Sequence, residues 1–236
     1  MKSRSVILPV AIRCVDISGE LVTPEGLEDY PACRIYVFDA DRLLGKVDIQ
    51  NGCKPVTSMQ LADTIAEHFY HRISPLYSDY SGFHPELSGL HEQLGIDSNT
   101  DSKGLPPDIT ASIALATFDR PDQLRECLLA LSQQQSPRQL EIIVIDNHPA
   151  SGKTPPVVAE FPGVTLVSEE RQGLAYARNA GFIAAQGDIV IATDEDVVMP
   201  PDWAEKMLAP FERSDVGIVT GNVLPRELET ESQYLF

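Results

Sequence analysis

Two aspartates one residue apart, Asp194 and Asp196, follow an apolar run from Ile189 to Ala192 and form, with Thr193 and Glu195, the string TDED. Side chains alternate along an extended segment, so the two carboxylates project to the same side. Anions held this close repel unless a cation or a shared proton stands between them. A hard divalent ion, Mn2+ or Mg2+, suits such oxygen ligands, keeps several waters and bridges to substrate phosphates. Most D-x-D pairs are solvated loop residues; a place directly after a buried strand turns this one toward metal. Asp146 ends another apolar run, Leu140 to Ile145, where an aspartate is ordinarily a turn former or a helix cap. Arg178 borders the stripe Leu174, Ala177, Gly181 and Ala185, which is small enough to pack a helix closely on a sheet. From there a guanidinium reaches past the helix start to phosphate or carboxylate in a forked geometry. The alternative for Arg178 is a salt bridge to Glu169, Glu170 or a strand-end aspartate.

Strand ends are needed to hold such residues, and the pattern after residue 108 supplies them. Ile109 to Ala116 and Leu140 to Ile145 read as buried strands, Val164 to Val167 as a short one, Ile189 to Ala192 as a third strong one and Val216 to Val219 as a last. Helices are expected from Pro121, over Pro156 to Phe161, Gly173 to Gln186 and Trp203 to Phe211. Alternating strands and helices imply a mostly parallel sheet covered on both faces, with ligands outside the carboxyl ends of the strands. The loop after the first strand, Thr117 to Pro121, contains no glycine, which disfavours a dinucleotide site. No G-x-x-x-x-G-K-[ST] phosphate loop and no G-x-S-x-G nucleophile elbow occurs.

Six strings in order, SIALATFDRP (112–121), LRECL (124–128), EIIVIDN (141–147), GLAYARNAG (173–181), GDIVIATDED (187–196) and PDW (201–203), closely resemble the opening half of family 2 glycosyltransferases. The resemblance covers about residues 110 to 228 and implies a GT-A fold, a Rossmann-like, mostly parallel sheet with flanking helices. It implies transfer of a sugar, with inversion, from a nucleotide sugar, a UDP-sugar in the first place, to an unknown acceptor. Thr117, Phe118, Asp119 and Arg120 then match the loop lining the nucleotide pocket, Asp146 the aspartate that binds the base, and Arg178 an arginine that holds the nucleotide. Asp194 and Asp196 match the metal-binding D-x-D, the first near ribose or sugar and the second on the metal. Ala116 replaces a frequent proline, and Asp119 a frequent asparagine. A sugar-1-phosphate nucleotidyltransferase would instead want a glycine-rich, basic loop where Thr117 to Pro121 stands. The family's general base lies further along than this chain reaches, so it is expected downstream of Phe236. Glu227, Glu229 and Glu231 come too early to match it and read as a solvated stretch. The α/β domain is thus expected to be incomplete at its C-terminus. The alternative function is a non-catalytic donor-binding or interaction module that lacks the base.

The 236 residues carry 35 acidic and 18 basic side chains, a formal net charge of -17, and 20 of the acidic ones lie from Asp108 onward. Such acidity repels nucleic acid and anionic lipid, and would repel a diphosphate unless a local cation intervened. Four cysteines, without C-x-x-C or metal-ligand spacing, read as free thiols of a reducing compartment. The apolar run Val6 to Ile12 is broken by Pro9 and lacks a cleavage site, and no stretch approaches a membrane span of about 20 residues, so a cytoplasmic protein is expected. Residues 1–74 are expected to form a small α+β domain of unknown role. Its signs are a hairpin around residues 39–41, a helix carrying Leu61, Ile65 and Phe69, and a Thr57/Gln60 capping box. His68, His71, His84 and His91 lack a partnering acidic or cysteine cluster and read as surface or capping residues. Residues 75–107, rich in Ser, Pro, Gly and Asp, read as a linker, and 108–236 as the nucleotide-sugar-binding domain.

Overall fold

The computed structural model describes residues 9–39, 42–73, 105–230 and 232–233. The chain divides into two compact units, Met1–Thr100 with Asn222–Phe236, and Asp101–Gly221. The expected linker falls almost wholly on residues outside the described set, as do His84, His91 and Glu231.

In the first unit β1 (Val10–Asp16), β2 (Ala32–Asp39) and β3 (Arg42–Ile49) form a sheet in that order, with β1 parallel and β3 antiparallel to β2. Helix α1 (Ser58–Ile73) packs Leu61, Ala62, Ile65 and Phe69 on Cys33, Ile35 and Val37, as its four-residue spacing dictates. The capping box closes α1 reciprocally: Gln60 N donates to Thr57 Oγ1 at 3.2 Å and Thr57 N to Gln60 Oε1 at 3.0 Å. Here the chain departs from the expected domain boundary. Residues after Gly221 group with this small unit because Leu228 is buried with Val10 and Ala32, and its carbonyl accepts from Val10 N at 2.9 Å.

In the second unit β4 (Ala111–Thr117), β5 (Leu140–Asp146), β6 (Thr165–Ser168) and β7 (Ile189–Asp194) form an all-parallel sheet ordered β6-β5-β4-β7. The alternation along β4 explains the layering. Ala111, Ile113 and Leu115 face a core with α2 (Pro121–Ser132), α3 (Thr154–Val158) and α5 (Trp203–Leu208). The small residues Ala114 and Ala116 face the opposite core with α4 (Leu174–Ala184). Gly181 of α4 permits that approach, since a Cβ there would stand 2.8 Å from Ile145 Cδ1 and 2.9 Å from Ala114 Cβ. This is the Rossmann-like α/β arrangement expected of the sequence. Two local readings differ. Val216–Val219 forms no strand: Ile218 is 86% exposed, and without a neighbouring ladder an apolar run has nothing to make it one. The stripe on α4 is narrower than expected, with Ala177 and Gly181 buried but Leu174 49% exposed at the helix start.

Candidate functional site

The register of the sheet brings the chemistry together. Thr117 stands opposite Asp146, and Ala116 opposite Asp194, so the carboxyl ends of β4, β5 and β7 finish side by side. A cavity of about 440 Å³ opens there, of a size suited to a small ligand. Its walls are Ala116, Thr117, Phe118 and Arg120 after β4, Asn147 after β5, Gly173, Leu174 and Ala177 at the start of α4, and Asp194, Glu195 and Asp196 after β7. The two aspartates therefore share one cavity. Both are partly exposed, whereas the Glu195 side chain between them is mostly covered, and burial pushes its carboxyl above the ordinary value.

Each D-x-D carboxylate meets an arginine. Arg178 Nη2 donates to Asp194 Oδ1 at 3.0 Å and to Oδ2 at 3.3 Å, while Arg120 Nη1 donates to Asp196 Oδ2 at 3.2 Å. Among the acidic partners open to Arg178, the strand-end Asp194 is the one it pairs with, and Glu169 is taken by Arg171 instead. Among the described residues no group of three or more His, Cys, Asp or Glu could hold an ion by protein ligands alone. The donor set still fits a hard divalent cation of the kind that binds through one or two carboxylates and completes its shell with water and substrate phosphate.

Asp146 does not line the cavity but is buried, 1% exposed, at the end of β5. Its Oδ1 accepts from His148 N at 3.0 Å, and its Oδ2 has no partner. Thr117 Oγ1, across the register, and Arg178 Nε are buried and unpartnered as well. Buried polar atoms ordinarily find partners, so this local concentration of unpaired groups at a cavity is the mark of a ligand site. Asp119 departs from the expected role: its carboxylate turns to His148 Nδ1 at 2.9 Å and Lys153 Nζ at 3.3 Å rather than into the cavity.

Three further residues escaped the sequence reading. Asn147, buried, donates through Nδ2 to the carbonyls of Glu169 and Arg171 at 3.1 and 2.8 Å, and its Oδ1 accepts from Gly173 N at 2.8 Å. It thereby fixes the start of α4, where Gly173 adopts φ 135°, a conformation that favours glycine. The dipole of α4 makes that start favourable for an anion. His148 stacks on Phe118, and Lys153 reaches Asp119. The only local signal for Asn147 and His148 was position, directly after a strand that ends in aspartate, and Lys153 had none.

Comparison with known proteins gives this geometry its setting. The chain is similar to an uncharacterized glycosyltransferase, YfnE, of Bacillus subtilis, at 31% identity over 47% of this chain and 29% of that protein. It is also similar to the glucosyl-dolichyl phosphate glucuronosyltransferase of Haloferax volcanii, at 30% identity over 40% of this chain and 31% of that one. The chain thus spans under a third of the length of these relatives. Among solved structures, it resembles the mannosyltransferase PcManGT from Pyrobaculum calidifontis in complex with GDP-Man and Mn2+ (28% identity, TM-score 0.34, 41% of this chain and 31% of that one). It also resembles S. aureus TarS 1-349 in complex with UDP (20% identity, TM-score 0.39, 42% of this chain and 30% of that one). Superpositions this partial leave the fold to rest on strand order. The sequence pattern of Glycosyl transferase family 2 matches residues 112–235, from the start of β4 past the D-x-D, and with more than half of its residues so matched the chain belongs to that family.

Proposed function

We propose that the cavity binds a nucleotide-diphosphate sugar, a UDP-sugar in the first place, and that the protein transfers the sugar to an acceptor with inversion. The single observation that carries this reading is the cluster of buried, unpartnered Thr117 Oγ1, Asp146 Oδ2 and Arg178 Nε beside a cavity lined by both D-x-D aspartates. Asp146 Oδ2 and Thr117 Oγ1 suit the N–H and carbonyl edge of a base such as uracil. Arg120 and Arg178, with the start of α4, suit the diphosphate. Asp196, the more exposed of the pair, would hold Mn2+ or Mg2+, with Asp194 nearer the ribose or sugar. When bound, the cation supplies Lewis acidity that stabilises charge on the departing nucleoside diphosphate. Free thiols and the lack, among the described residues, of a helix able to cross a membrane support placing this domain in the cytoplasm.

UDP with Mn2+ is expected to raise the melting temperature, and Asp196→Ala to abolish the rise. A panel of UDP, GDP, CDP and ADP with Mn2+ that shifts nothing would overturn the donor-site reading.

One observation favours the second reading, a donor-binding module without catalysis. All three carboxylates that line the cavity are near arginines, Asp194 with Arg178 and Glu195 and Asp196 with Arg120, so none stands free to deprotonate an acceptor hydroxyl. Assaying this chain for sugar transfer and for donor hydrolysis separates the two: binding without turnover supports the module.

A further inference from the structure

We infer that Asp119 and His148 are positioning residues, which set the Phe118 ring as the platform against which the base of the nucleotide lies. The inference rests on the donor-site reading above.

Asp119 adopts φ 58°, and among the described residues only Cys53 shares that left-handed conformation without being a glycine. Aspartate tolerates this region better than most residues, yet it needs surrounding contacts to persist there. The contacts come from the segment after β5. A carboxylate only accepts, so His148 Nδ1–H donates to Asp119 Oδ2 at 2.9 Å, and Lys153 Nζ–H donates to the same oxygen at 3.3 Å. A hydrogen bond from Ser151, with those of His148 and Lys153, holds the Asp119 carboxyl down at about 2.

The kink turns Asp119 away while Phe118 and Arg120, on either side of it, both line the cavity. Behind Phe118 stands the same histidine. The rings stack with centroids 5.0 Å apart and planes 11° apart, too close to admit a third ring between them. The rest of Phe118, which is 43% exposed, is left to the cavity. His148 also donates its backbone N–H to Asp146 Oδ1, and so leaves Oδ2 as the open acceptor. One residue thus ties the stacking surface to the hydrogen-bonding edge. A planar base with an N–H donor is the ligand chemistry this pairing selects, and His148 and Asp119 act on it only through Phe118 and Asp146.

The test compares UDP with inorganic pyrophosphate, each titrated calorimetrically with Mn2+ present, since pyrophosphate has no base. H148N keeps a donor for Asp119 but loses the ring stack; H148F keeps the stack and loses the donor; D119N exchanges an acceptor for a donor among three donors. H148N and D119N are expected to weaken UDP roughly tenfold, the scale of one lost base–aromatic contact, with pyrophosphate affinity within about twofold of wild type, a margin small against that contact. H148F should recover part of the loss seen in H148N, because Ser151 and Lys153 still hold Asp119 when the His148 donor is gone. UDP affinities unchanged in H148N and D119N would overturn the inference, as would UDP and pyrophosphate weakening in parallel, which marks a general disturbance of the fold. A wild-type chain that binds pyrophosphate as tightly as UDP overturns the platform alone; one that binds neither overturns the donor site itself.

Discussion

Arg178 and Asp194 are joined by a forked contact, one guanidinium nitrogen lying 3.0 and 3.3 Å from the two carboxylate oxygens, so the first aspartate of the D-x-D already has a counter-ion. Arg120 does the same for Asp196 at 3.2 Å. An acidic chain can keep two carboxylates at one cavity in this way before any ligand arrives. A metal held by Asp196 would compete with Arg120 for that carboxylate, and a diphosphate is the group that would receive the freed guanidinium.

Metal and nucleotide are therefore expected to bind synergistically. Arg120→Ala should tighten Mn2+ binding in the absence of nucleotide by up to about fivefold, the scale of an exposed ion pair worth at most roughly 1 kcal/mol. The same variant should weaken UDP. Titration of free Mn2+ by electron paramagnetic resonance, with and without UDP, checks both; equal Mn2+ affinity in wild type and variant would refute the exchange.

Asp146 should be dispensable for folding and needed for binding. It is buried with Oδ2 unpartnered, and Asp146→Asn keeps an oxygen to accept from His148 N while replacing the other oxygen with an amide. Chemical denaturation is expected to show stability equal to wild type or higher. Affinity for UDP should fall by about 1–3 kcal/mol, the cost of a lost hydrogen bond to a charged group. A large loss of stability with binding retained would contradict this assignment.

Acid should undo the supports of the site over a defined range. Arg171, through its side chain and then its backbone N–H, holds Glu169 at about 2 instead of the ordinary 4.5, and hydrogen bonds from Ser151, His148 and Lys153 hold Asp119 at about 2 instead of 3.8. A depressed carboxylate stabilises fully above its unfolded value, and that stabilisation is lost as pH falls through the folded one. Melting temperature is expected to hold above about pH 5 and to fall toward pH 2. Asp119→Asn and Glu169→Gln should each flatten the fall. An identical pH profile in both variants would show that these carboxylates are not the groups responsible.

Close packing beneath the site sets a limit on substitution. Gly181→Ala would place a methyl 2.8 Å from Ile145 Cδ1, a side chain with some freedom to shift, and should cost about 1–3 kcal/mol by overpacking. Gly187→Ala would meet backbone, with Ala111 C and Ser112 N both at 2.7 Å, and should cost more. Urea denaturation of the two variants should show that order; a Gly187→Ala protein as stable as wild type would mean that the strands there can part.

What could be read without the fold was whatever repeats locally. Apolar runs placed β4, β5 and β7, helical spacing placed α1 and α2, and the period of two along a strand put Asp194 and Asp196 on one side. Each of these patterns lies within about a dozen residues and reflects which side of a segment meets the core. The choice of partners was not legible. Arg178 had three acidic candidates and took Asp194, because helix α4 passes the end of β7 while Glu169 is occupied by its neighbour Arg171. Asp119 turned to His148, 29 residues on, and Asn147 reached Gly173, 26 residues on, through contacts that no periodicity announces. Val216–Val219 had the composition of a strand and none of the ladder, since a strand is a property of two segments. Local sequence decided which way most segments face; only their assembly decided which charges meet and whether a strand-like run finds a ladder, because ion pairs and hydrogen bonds depend on distances in space.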